Sequence, residues 1–279
     1  MAEGDFDTEG LVRNNLARMR LAAVTVLELI EDMWTCKDET AFLVRKRAVE
    51  LARLVGQHRI LPSDDEFVLK RLFDPGRGTP GRTSGVTKRW LDTVVRFRSR
   101  ADLSKPVRYA VGRVIFDFAD FAGRIGELRR SYVKMLDDYK AAILRAAGLV
   151  GFGLKNKLTG EGANAVNTYF KSDLWKETYI NLYAKVLRMK PLEHDTAMQF
   201  HRRMEIPCEF SSTILRQALC DGYRYDRNAN DALDEAHLRY LCDDSLCFVT
   251  NDEKLRKKIS ESSRSRVINV SGFRTVLTA

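Results

Sequence analysis

The spacing of apolar positions divides the chain into three stretches. In the first, MRLAAVTV (residues 19–26) is a short apolar run with β-branched residues leading into LELIEDM, which predicts a strand followed by a helix. Residues 38–55 place Phe42, Leu43, Ala48, Leu51, Ala52 and Val55 at helical spacing behind an acidic first turn, and Gly56 ends that helix. HRILP (58–62) reads as a second short strand stopped by proline, and SDDEFVLKRLF as a third helix, with a capping serine and acids at its positive end. The second stretch, residues 87–227, has a helical period almost throughout, broken at Pro106, at GLVGFGLKNKLTGEG and near Pro191 and Pro207. In the third, 228–279, helix and strand alternate again. DALDEAHLRYLC (231–242) predicts a helix, SLCFVT (245–250) a strand, DEKLRKKISES a helix and RVINV (266–270) a closing strand.

Strand–helix units at both ends with helices between them predict one α/β domain, formed by 1–73 and 228–279 and interrupted by a helical insertion over 87–227. A separate all-α domain is the alternative for the middle. DPGRGTPGRTSG, within residues 74–86, is rich in glycine, proline and arginine and reads as a flexible loop at the boundary.

Charge narrows the partners. The formal net charge of +9 favours a polyanion such as RNA or DNA. No apolar run reaches the roughly 18 residues of a membrane span, and MAEGDFDTEG lacks a signal pattern, so a cytoplasmic protein without a membrane partner is expected. The five cysteines (Cys36, Cys208, Cys220, Cys242, Cys247) form no CxxC pair and have no histidine at zinc spacing, which predicts reduced thiols.

The candidate chemistry lies in the third stretch. Asp252 follows an apolar strand, at the edge where open α/β sheets hold ligands, and Asp234 lies on the helix before that strand. Asp231 is one turn earlier on the same face. Crowded carboxylates repel unless a cation neutralises them, and an all-oxygen donor set suits Mg²⁺ or Mn²⁺ rather than zinc.

At DALDEAHLRYLCDDSLCFVTND the chain resembles the PIN-domain family of metal-dependent nucleases. Asp234 and Asp252 match that family's two C-terminal metal-site acids, with Asp231 beside them. RLAAVTVLELIEDM resembles the family's second strand and the helix bearing its glutamate, which Glu28 fits, with Glu31 one turn on. The resemblance covers about 1–73 and 228–275. It implies a three-layer fold with a small, mostly parallel sheet, Mg²⁺ or Mn²⁺ held by Glu28, Asp231, Asp234 and Asp252, and hydrolysis of phosphodiesters. Thr250 and Asn251 would orient the acid edge. Single-stranded RNA is the implied substrate and a cognate inhibitor protein an implied partner. A protein that binds RNA or another protein without cleaving is the alternative. The family's first strand, which carries an aspartate, has no counterpart in MAEGDFDTEG. Either the recorded chain lacks that strand, or GRVIFDFADF (112–121) fills the gap and Asp117 supplies the acid.

Plainer roles stand beside these. Asp252 is also a natural helix cap, Asp231 and Glu28 could face solvent, and His237 on a packed helix reads as structural. DEAHL is not a zinc-protease HExxH, and GFGLKN has two glycines but no third and is followed by no Lys-Ser/Thr of a phosphate loop. Arg89, Arg96, Arg98 and Arg100, interleaved with Trp90 and Phe97, could line a nucleic-acid strip. The same pattern also suits an amphipathic helix with its aromatics in the core.

Overall fold

The computed structural model describes residues 33–56, 61, 64–73, 91–104, 107–108, 114–116, 118–149, 157–228 and 230–278. The expected strands at 19–26 and 58–62, the helix bearing Glu28 and the loop at 74–86 lie outside these residues, Leu61 apart. The chain divides into two compact units, Met1–Phe67 with Arg77–Glu127 and Asn269–Ala279, and Val68–Gly76 with Leu128–Ile268. The C-terminal strand–helix segment was expected to complete a domain with 1–73. It shares its unit with helices of the expected insertion.

In the first unit, α1 (Glu39–Gly56) starts where Asp38 Oδ1 accepts from the Ala41 N–H at 2.7 Å. Its buried stripe runs through Phe42 and Val49, which pack with Met33, Cys36, Leu91, Val94 and Leu103. Leu43, expected on that stripe, is 53 % exposed, because its neighbour Phe42 already points into the core and adjacent helix positions diverge by about 100°. The turn after Val94 is closed by Asp102 Oδ2, which accepts from the N–H groups of Arg98 (2.8 Å) and Ser99 (3.2 Å). A short antiparallel hairpin follows, β1 (Val107–Arg108) with β2 (Val114–Phe116), in register Val107↔Phe116 with a bulge. This corrects the helical expectation for that stretch. Among the described residues β2 pairs only with β1, so it is not a central strand there, and Asp117 lies outside the description.

The second unit is mainly helical. It includes α2 (Asp64–Val68) only at its end, continued by a π-helical turn Leu69–Phe73. It then takes most of α3 (Phe118–Ala146), followed by α4 (Gly160–Lys171), α5 (Asp173–Val186), α6 (His194–Arg203) and α7 (Glu205–Arg216). Tyr132, Leu136, Tyr139 and Ile143 of α3 recur at helical spacing and are buried. Trp175 of α5 is fully buried among Tyr139, Tyr169, Phe170 and Tyr179, with an edge-on contact to Phe170 at 5.1 Å. Its indole N–H donates to Ser212 Oγ at 2.7 Å. A π-helical turn, Gln217–Asp221, ends at Gly222 with φ +76°, a left-handed conformation that favours glycine.

The unit closes with α8 (Asp231–Arg239), extended by a 3₁₀ turn Tyr240–Cys242, then β3 (Phe248–Val249), α9 (Glu253–Lys257) and β4 (Val267–Ile268). The last helix, α10 (Val270–Thr278), belongs to the first unit. β3 and β4 are parallel in register Phe248↔Val267, with Phe248 N–H donating to Arg266 O at 2.8 Å and Thr250 N–H to Ile268 O at 2.9 Å. Both strands are shorter than expected. Asp243 Oδ1 accepts from Ser245 N–H and Oγ–H and turns the chain before β3, while Asn269 Oδ1 accepts from Gly272 N–H and starts a helix after β4. The basic helix stops at Lys257 because Ser260 N–H turns to Glu209 Oε1 on α7 at 2.7 Å. The architecture is helix-rich with a small parallel two-stranded sheet, a helical form of the α/β class. No helix among the described residues is long and apolar enough to cross a membrane.

Candidate carboxylate site

Asp231 and Asp234 occupy the first turn of α8, where carboxylates favour the positive end of the helix. The helix lies against the small sheet, since the buried His237 ring stacks on Phe248 of β3 at 5.4 Å. That contact gives His237 the structural role its position suggested. Asp252 follows β3 and caps α9. Its Oδ1 accepts from the N–H groups of Lys254 (2.7 Å) and Leu255 (3.0 Å), and its own N–H donates to Thr250 Oγ1 at 3.1 Å. Asp252 is exposed, as is Asn251, and Asp234 is half-buried.

Asp231 is different. It is buried, and both of its oxygens are engaged: Tyr223 O–H donates to Oδ2 at 2.7 Å, and the Lys258 ammonium donates to Oδ1. The same ammonium reaches the Tyr223 oxygen at 3.2 Å and lies over the rings of Phe210 (5.3 Å) and Tyr223 (5.2 Å). Burial, the hydrogen bond to Asp231 and the charges of Asp231 and Asp234 together hold the Tyr223 phenol well above its usual range. It therefore stays a donor at neutral pH. These contacts bring Asp231, Tyr223 and Lys258 into one cluster, and the Asp234 charge acts on its phenol.

Among the described residues, no group of three or more His, Cys, Asp or Glu side chains is arranged to hold a metal ion. Each Asp231 oxygen already accepts a hydrogen bond from within the chain. Asp234 and Asp252 have the oxygen chemistry a hard divalent ion prefers. Glu28 and Arg89 lie outside the described residues. Arg96 and Arg98 are exposed, whereas Arg100 Nε donates to Cys36 O at 2.8 Å and its N–H to Glu39 Oε2 at 3.0 Å. Phe97 packs against the core beside them.

Next on α8, Glu235 is completely buried. It accepts from Ser211 Oγ–H (2.7 Å), Tyr132 O–H (3.0 Å), Tyr179 O–H (3.3 Å) and the Arg239 guanidinium (3.1 Å). Burial, reinforced by the Glu235 charge, pushes the phenols of Tyr132 and Tyr179 upward. This network anchors α8 to α3, α5 and α7. The Glu235–Arg239 pair was visible in sequence as an i, i+4 spacing. Lys258, Tyr223 and Phe210 left no linear signal.

A cleft of about 280 Å³ opens between α4, α5, α6 and α7, lined by Phe170, Trp175, His201, Cys208, Ser212 and Arg216 among others. Burial, aided by the Lys176 charge, lowers the His201 pKa to about 4, against 6.5 for a free imidazole. Between pH 6.5 and about 4 the unfolded chain therefore binds a proton at His201 that the folded chain does not, and stability falls as the pH drops through that window. Urea midpoints measured across it are expected to decline more steeply for the native chain than for His201→Gln. Equal slopes would contradict the assignment. The exposed His194–Glu177 pair, whose shift has the opposite sign, is present in both proteins and cancels in the comparison.

Compared with known proteins, the chain matches no family model, no curated protein and no solved structure.

Proposed function

We propose that this chain carries the acidic edge of a PIN-like, metal-dependent endoribonuclease that acts on single-stranded RNA in the cytoplasm. The supporting observation is the parallel pairing of β3 with β4: Thr250, Asn251 and Asp252 follow the carboxyl end of β3, and the helix bearing Asp234 packs on the same strand through His237 and Phe248. The three-layer arrangement, a glutamate supplied by Glu28 and a cognate inhibitor protein belong to the same proposal. A bound Mg²⁺ or Mn²⁺ would acidify a water molecule and neutralise phosphoryl charge. Asp234 and Asp252 would hold that ion, and Thr250 would steady the backbone of Asp252. The net charge of +9 favours the polyanionic substrate.

Asparagine caps helices as well as aspartate does, so Asp252→Asn keeps the α9 cap while removing the charge. Metal-dependent cleavage of single-stranded RNA is expected to fall about 10²–10³-fold in Asp252→Asn and in Asp234→Asn, with melting temperatures close to the native value. Undiminished cleavage by Asp252→Asn would remove this residue from the chemistry.

The second reading is a PIN-like protein that binds RNA or a partner protein without cleaving. It is favoured by the Lys258–Asp231 pair, which neutralises one predicted ligand from within the chain. Salt-sensitive RNA binding that persists in EDTA, with no cleavage in Mg²⁺ or Mn²⁺, would decide for it.

A further inference from the structure

Lys258 occupies a site built for an ammonium ion. Its surroundings are one buried carboxylate, one phenol oxygen at 3.2 Å and two aromatic faces at 5.2 and 5.3 Å. Ring faces attract a monovalent organic cation, but they offer no lone pairs to a divalent ion that requires about six oxygen ligands. Both partners are held in place, with side-chain exposures of 11 % for Lys258 and 5 % for Asp231. Charge pairs this deeply buried are screened little by solvent.

The location adds a second consequence. Lys258 immediately follows α9, the helix that Asp252 caps, and Asp231 begins α8, the helix that carries Asp234. The pair therefore ties one end of each helix to the other without any metal.

We propose that Lys258 is a built-in cation that removes Asp231 from metal binding. The inference rests on the nuclease reading only in taking a divalent ion as the ligand of the acidic edge.

The test uses Mn²⁺ and Mg²⁺ alone, with no RNA. Mn²⁺ binding to the native chain and to Asp231→Asn is expected to be equal within about twofold, because Asp231 supplies no oxygen to the ion. Lys258→Met frees the carboxylate, so its Mn²⁺ affinity is expected to rise about tenfold or more, and the double variant Lys258→Met/Asp231→Asn loses that gain. A marked loss of affinity in Asp231→Asn, or no gain in folded Lys258→Met, overturns the proposal. Should Lys258→Met fail to fold, lysine-selective ¹⁵N NMR of the native chain decides. A slowly exchanging ammonium signal, assigned by its loss in Lys258→Arg, is expected to survive saturating Mg²⁺; its disappearance on Mg²⁺ addition overturns the proposal. If the native chain binds no Mn²⁺ while Lys258→Met does, the nuclease reading fails and the role of Lys258 stands.

Discussion

Glu235→Ala is expected to lower folding stability by about 3–5 kcal/mol, a large fraction of the roughly 5–15 kcal/mol available to a folded domain. The cost arises from what the substitution leaves behind. Arg239 would keep a buried guanidinium over the Tyr183 ring at 4.6 Å with its carboxylate gone, and three hydroxyls, on Tyr132, Tyr179 and Ser211, would lose their acceptor. Each stranded polar group costs on the order of 1–3 kcal/mol, partly recovered by relaxation and water entry. Glu235→Gln keeps an oxygen acceptor and should cost distinctly less. Replacing Glu235 and Arg239 together by leucine and methionine should also cost less than the alanine change alone, since removing both charges of a buried pair is tolerated better than removing one. Urea midpoints at neutral pH measure all three. A loss under about 1 kcal/mol for Glu235→Ala would mean that the network does not hold the helix.

Trp175→Ala should produce a loss of similar size, about 3–5 kcal/mol, for a different reason. The indole is 1 % exposed and touches four aromatic rings, so its removal opens a void beside the cleft that Trp175 already lines. The Ser212 hydroxyl would also lose the indole donor, although it keeps its own bond to Cys208 O at 2.7 Å. Trp175→Phe preserves most of the packing and isolates the hydrogen bond, with an expected cost of about 1 kcal/mol beyond the lost volume. Thermal melting followed by near-ultraviolet circular dichroism reads both variants. Equal stability of Trp175→Ala and the native chain would contradict the packing described for α4, α5 and α7.

Much of the local structure was legible in the residues. The buried position of Phe42, the acidic start of α8 and the cap at Asp252 follow from patterns only a few residues long, whereas Val49, not among the expected positions, joins the core and the expected Leu43 does not. The parallel strand–helix–strand unit at the C-terminus was legible in its order, while its strand lengths were not. Asp243 and Asn269 trim the strands through local turns that compete with the ladder. The hairpin at Val107–Phe116 was missed because its strands are two and three residues long and sit among residues of helical period. Such a strand exists only by virtue of its partner.

The candidate site divides along the same line. Sequence alone determined the residue types, their order and their helix or strand context: acids before and after a short apolar strand, a basic helix behind them and an excess of positive charge. Tertiary structure decided what each carboxylate does. Asp231, 27 positions from Lys258, is neutralised by that lysine and a phenol, Asp252 spends one oxygen on a helix start, and Glu235, never singled out, anchors the unit. Backbone caps and helical faces depend on near neighbours, whereas desolvation and ion pairing depend on groups brought within a few ångströms from distant parts of the chain.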